Sequence, residues 1–142
     1  MKLFERSRKL NYILCGVIFV GVIVYTLLAT GNRDMIYFKP SETGILIQGP
    51  ENYTIDIAFT DIQKVELLDY FDRGVSAGGV EEKDLYYGTF ENDMYGKYEL
   101  FAIAPVRTHM SITTKDGKVY VITRENNGDT ENYYNAVKDK VK

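Results

Sequence analysis

The sequence predicts a mainly β fold with one C-terminal helix. The sheet is curled, or forms a partly open barrel, of about seven strands, and one N-terminal transmembrane helix precedes it. Three observations carry this reading. No charged residue stands between Lys9 and Arg33. From Met35 onward, short runs of β-branched and aromatic residues are punctuated by Gly, Pro, Asn and Asp, the pattern of strands and turns. From Asp129 the apolar spacing becomes that of a helix.

Residues Ile13 to Ala29 read ILCGVIFVGVIVYTLLA. At about 1.5 Å per residue, a helix from Leu10 to Gly31 extends roughly 33 Å, enough to cross a hydrocarbon core of about 30 Å. A helix satisfies its own backbone hydrogen bonds and so tolerates lipid. The chain then divides into a basic cytoplasmic N-terminus over 1–10, a transmembrane helix over 11–31 and a β domain with its terminal helix over 32–142. Lys2, Arg6, Arg8 and Lys9, opposed by Glu5, precede the span; Arg33 and Lys39 are the nearest cations after it. That bias places the N-terminus in the cytoplasm and the β domain outside the cell membrane. Ala29-Thr30-Gly31 also offers small residues to a signal peptidase. The apolar run exceeds the usual signal core of about 7–15 residues, however, so an uncleaved single-pass anchor is expected. The single cysteine, Cys15, lies in that run, which excludes an internal disulfide and leaves the domain without a thiol nucleophile or metal ligand.

The elements follow in order. Met35–Phe38 is a short strand stopped by Pro40. Gly44–Gln48 is a second, ended by Gly49-Pro50. Tyr53–Ile57 alternates apolar and polar residues, so one face is buried. In Asp61–Leu68 the apolar residues Ile62, Val65 and Leu67 suit a helical turn running into a strand. Asp69–Asp84 is the least regular stretch, with Gly74, Gly78 and Gly79 among Asp69, Asp72, Arg73, Glu81 and Glu82. Strands resume at Tyr86–Phe90 and Tyr95–Ala102. Met110–Thr114 and Lys118–Thr123 flank Lys115-Asp-Gly117 as the clearest hairpin, because Asp-Gly supplies the positive φ that a tight turn demands. Tyr133, Ala136, Val137 and Val141 share one face of the terminal helix, with Asp129 as its expected N-cap.

The part after the span holds 13 of the 17 Lys and Arg and 19 of the 20 Asp and Glu, a difference of −6. An acidic surface does not gather phosphates, which argues against nucleic acid as a partner. The twelve tyrosines fall mostly in strand-like segments, where an amphipathic ring suits a half-buried position.

The pattern Gly44-Ile-Leu-Ile-x-Gly49, Tyr53-x-Ile55, Asp61-Ile62-x-x-Val65, the Gly74–Gly79 loop, Gly88-Thr-Phe90 and Ile112-x-Thr-x-x-Gly117-x-x-Tyr-x-Ile-Thr123, with the closing helix, resembles the bacterial pleckstrin-homology-like (PH-like) domains of small membrane proteins. The resemblance covers roughly Met35 to Lys142. It implies two roughly orthogonal sheets of seven strands capped at one end by the helix, with no enzymatic activity and no cofactor. Members often carry two membrane helices, whereas one span is read here. In PH domains that bind phosphoinositides, a basic strand-loop-strand grips the phosphates. The corresponding stretch, Thr43 to Ile57, contains no Lys or Arg, so phosphoinositide binding is not expected.

No residue earns a catalytic, cofactor-binding or metal-ligating assignment. His109 is the only histidine, and no GxxxxGK[ST], GxSxG, HExxH or GxGxxG occurs. The carboxylates of 69–84 and of Glu91-Asn92-Asp93 raise the idea of calcium, but lack the order of a calcium loop. Glu81 and Glu82, adjacent in a strand, would point to opposite faces. Asn52-Tyr-Thr54 fits a glycosylation acceptor. Arg73 and Arg107 sit in loop-like contexts where a guanidinium fork suits a carboxylate or phosphate, and surface ion pairs account for them equally well.

The expected function is a single-pass, membrane-anchored, non-catalytic binding or scaffolding module at the bacterial membrane. It would be tethered to the bilayer through 11–31 and would dock an unidentified protein, or a second copy of itself, at a sheet edge or beside the terminal helix. The alternative is a cell-surface ligand- or metal-binding domain, or an enzyme, using the acidic Gly-rich loop 69–84 with Tyr86 and Tyr87. The lack of a nucleophile–base pair favours the first.

Overall fold

Isoleucine pairing builds the first sheet. The computed structural model describes residues 17, 18, 20–22 and 37–141, with the backbone alone for 37–40. Strands β1 (Tyr37–Pro40), β2 (Gly44–Gln48) and β3 (Thr54–Ala58) form an antiparallel sheet in that order. Ile45 lies opposite Ile57, and Ile47 opposite Ile55. All four are buried, so the expected alternation of β3 is observed. Each contributes roughly 2 kcal/mol of apolar burial.

The second sheet holds seven strands: β4 (Ile62–Leu68), β5 (Val75–Ser76), β6 (Val80–Glu82), β7 (Leu85–Asn92), β8 (Gly96–Ile103), β9 (His109–Thr114) and β10 (Val119–Ile122). Its order is β4-β9-β10-β8-β7-β5, with β6 also paired to β7. The 3-10 turn Phe59–Asp61 runs into β4, as the spacing of Ile62 and Val65 suggests. A register shift between Ile62 and Lys64 explains that spacing, because a bulge lets residues three apart share a face. The Asp-Gly hairpin joins β9 to β10, with Gly117 at φ +88°.

One connection is non-local. β10 pairs antiparallel with β9 and parallel with β8, so it is inserted between two strands that precede it in the chain. The β8–β9 link, Ala104–Thr108, therefore crosses the end at which β10 finishes. Thr123, just beyond β10, donates its N–H to the Phe101 carbonyl, and its hydroxyl accepts from the Ile103 N–H.

The chain closes with helix α1 (Asn127–Lys138), which packs against β4 and β9. The expected cap at Asp129 is corrected: Asn126 is the N-cap, its side-chain oxygen accepting from the Asp129 N–H at 2.9 Å. Asp129 sits in the first turn and accepts in return from Asn126 Nδ2 at 2.6 Å. Both residues are good caps, and the reciprocal pair places the helix start three residues earlier than expected.

The large sheet has two buried faces. On one, Tyr87, Phe101, Met110, Ile112 and Ile122 pack with the four isoleucines of the small sheet and with Val137 of α1. Tyr53 adds a polar tie there: its hydroxyl donates to Glu99 at 2.5 Å while its ring stacks on Phe101. Thr89 donates to the other oxygen of Glu99 at 2.7 Å. On the opposite face, Phe90, Tyr98, Leu100, Ala102 and Val121 pack under Phe71.

The mainly β character, the terminal helix and the partly open sheet all agree with the sequence. The seven-stranded large sheet fits the expected count of about seven; among the described residues β1–β3 form a further sheet, and β5 and β6 are too short to show in the pattern. Residues 17, 18 and 20–22 are helical. The rest of the span read over 11–31 lies outside the described residues, and among those described no helix is long and apolar enough to cross a membrane.

Candidate functional site

Two loops meet on the second face of the large sheet. After β4 the chain folds Phe71 over that face. Its ring meets Tyr98 edge-on at 5.5 Å between centres and lies 5.2 Å from the His109 ring. The irregular backbone that follows is pinned. The Tyr98 hydroxyl donates to the Arg73 carbonyl at 2.7 Å, and Asn92 Nδ2 donates to the Asp72 carbonyl at 2.7 Å. The Gly74 N–H donates to Asp72 Oδ1 at 2.9 Å. Gly74 has φ +69°, and a Cβ there would stand 2.0 Å from the Glu91 carbonyl oxygen, so only glycine fits. The loop thereby holds Arg73 over Tyr86, with Cζ 3.7 Å from the ring centre.

The β8–β9 crossover supplies the other wall. Ala104 donates its N–H to the Asp84 carbonyl at 2.7 Å, and Val106 is buried. The Asn127 side-chain oxygen, from the first turn of α1, accepts the N–H groups of Arg107 at 2.9 Å and Thr108 at 3.1 Å. His109 Nδ1 lies 2.8 Å from the Arg107 carbonyl. A carbonyl only accepts, so Nδ1 carries the proton and Nε2 is the open position of the neutral ring. Burial holds this imidazole below its ordinary value, and the nearby Arg73 charge acts the same way against the bond to the Arg107 carbonyl.

Between these walls is a cleft of about 450 Å³. Leu100 and Ala102 lie buried on the sheet beneath it; Phe71, Tyr86 and Val106 line its sides; Arg73, Arg107, His109 and Asp69 bring charge and polarity. Tyr70, 86% exposed, also lines it. Ion pairs among the described residues join Lys64 to Glu66 and Lys118 to Asp116, and engage neither arginine. The Nε of Arg73 is buried without a hydrogen-bond partner among the described residues.

The structure thus gathers Arg73, Arg107 and His109, which the sequence singled out separately. It parts Tyr86 from Tyr87: the first lines the cleft, whereas the second is buried against the small sheet. Of the carboxylates of the acidic loop, Asp69 lines the cleft. Glu81 and Glu82 are exposed on β6, and no group of three or more His, Cys, Asp or Glu among the described residues can hold a metal. Sequence reasoning missed Tyr70 and Phe71. Their signal was an aromatic pair flanked by Asp69 and Asp72, unusual inside a charged loop. The β2–β3 connection carries Glu51, and Asp56 follows on β3, with no Lys or Arg among them, so this stretch presents carboxylates where a phosphate grip would need lysine or arginine.

A β framework of two sheets, a terminal helix and a cleft define a β-rich fold. A family model described as Bacterial PH domain matches residues 41–138, and the chain belongs to that family. Such domains are generally non-catalytic binding or scaffolding modules. No curated protein and no solved structure matches the chain.

Proposed function

We propose that the protein is a single-pass, membrane-anchored, non-catalytic module that binds its ligand in the Arg73–Arg107 cleft. The observation that carries this is the pair of arginines held at one cleft with no ion-pair partner among the described residues. A guanidinium left unpaired beside apolar walls is a recognition group, and the cleft brings no thiol, serine or threonine to His109 for chemistry. The uncharged stretch from Leu10 to Gly31 supports the anchor, and the excess of cations before it supports an external domain.

The test uses the full chain in cells, with Cys15→Ala and a new thiol at the exposed Met94. The product should stay with the membrane fraction until detergent is added. A membrane-impermeant maleimide should label Met94→Cys in intact cells. Full recovery without detergent overturns the anchor, and labelling only after permeabilisation reverses the orientation.

A further inference from the structure

We propose that the cleft is a carboxylate site, taking a singly charged acid that carries an apolar body: the free C-terminus of a polypeptide or a small organic acid. This deepens the binding-module reading and rests on it. Charge decides the class. Arg73 and Arg107 contribute two positive charges and Asp69 one negative; burial of His109 disfavours its charged form. The balance suits one negative charge and leaves a phosphate dianion undercompensated.

Geometry agrees. A planar guanidinium presents parallel donors that match the two oxygens of a carboxylate. Arg73 cannot swing freely, because its ring partner Tyr86 covers one face and three hydrogen bonds hold the backbone of 72–74. A fork fixed in advance loses little conformational freedom on binding. Its buried Nε has no hydrogen-bond partner among the described residues, a free-energy cost that the stacked pose of the guanidinium carries. Arg107 is exposed but rides on a backbone that Asn127 fixes, so it can close over the ligand from the opposite wall. The apolar body has a place as well: exposed Tyr70 and half-buried Tyr86 line the cleft and offer ring surface against which it escapes water, above a floor of buried Leu100 and Ala102. A volume of about 450 Å³ lies within the usual range for small-ligand clefts and accommodates one large side chain with its carboxylate.

Calorimetric titration of the full-length chain in detergent micelles tests this with four probes. These are 3-phenylpropionate, acetyl-Ala-Ala-Phe with a free carboxylate, the same peptide amidated, and inorganic phosphate. At least one of the two acids should bind saturably, and the amide and phosphate should bind at least about tenfold more weakly, as expected when a charge-assisted bond is missing. Preference for the peptide acid identifies a chain terminus; preference for phenylpropionate identifies a small acid. Arg73→Gln and Arg107→Gln should each weaken the acid by about tenfold or more. Because Arg107 is exposed, its variant remains informative if Arg73→Gln disturbs the loop. Equal binding of the amidated peptide overturns the carboxylate while leaving a binding module in place. Undiminished binding in Arg107→Gln, or no saturation by either acid, overturns the proposal, and the extraction and labelling experiment decides the anchor independently.

Discussion

Gly74 shows how a single residue sets the cleft. It turns the chain with a left-handed backbone against the Glu91 carbonyl, and the next residue back is the arginine stacked on Tyr86. Gly74→Ala imposes both the cost of a side chain at positive φ, about 1 kcal/mol, and a backbone collision. The loop must shift to relieve it. Thermal unfolding of the variant should fall by about 10 °C or more, since 1 kcal/mol corresponds to roughly 4–8 °C in a domain of this size. Acid binding at the cleft should weaken with it. An unchanged midpoint would show that the turn relaxes without strain. The loop that reads as least regular in sequence is thus one of the most constrained in structure. Nothing local announces this, because its partners Asn92 and Tyr98 lie on β7 and β8.

The first turn of α1 does two jobs. Asn126 caps the helix, while Asn127 holds the β8–β9 crossover through two amides. Arg107 is exposed, so its amide can turn to water; Thr108 is buried, so its amide cannot. Asn127→Ala should therefore cost about 1–2 kcal/mol, most of it at Thr108. Faster hydrogen exchange at the Arg107 and Thr108 amides, with Tm lowered by several degrees, would check it. Exchange unchanged from the parent chain would rule the tie out. Legibility at this scale follows length and locality. The β9–β10 hairpin was readable because Asp-Gly and two alternating flanks are local signals. β5 and β6, of two and three mostly exposed residues, bury too little to leave a pattern. The arginines could be nominated one by one, but their meeting depends on a crossover that no spacing encodes.

At the scale of the whole molecule, tyrosine ties the layers together. Burial raises the phenols of Tyr53, Tyr98 and Tyr133 above their ordinary value; the bond to Glu99 adds to the effect at Tyr53, and Tyr133 is pushed up to about 12. A folded-state value above the unfolded one means that the folded chain holds these protons longer. Their contribution is whole below about pH 10, the unfolded phenol value, and is lost as pH rises through the raised values. Stability should therefore persist to about pH 10 and decline above it. Phenolate absorbance and circular dichroism, followed together on the full-length chain, should show a late group of tyrosines ionising with loss of strand signal. Ionisation of every tyrosine near pH 10 with the fold intact would contradict this.

The position of β10 makes the sheet vulnerable in its middle. A polypeptide ended by a premature stop at Gly117 forfeits an interior strand, leaving β8 and β9 facing each other across a vacant slot with unpaired N–H and C=O groups on both sides. The gap can be filled only after β10, made later than both of its neighbours, has left the ribosome. Until then each nascent copy offers its neighbours a place to insert.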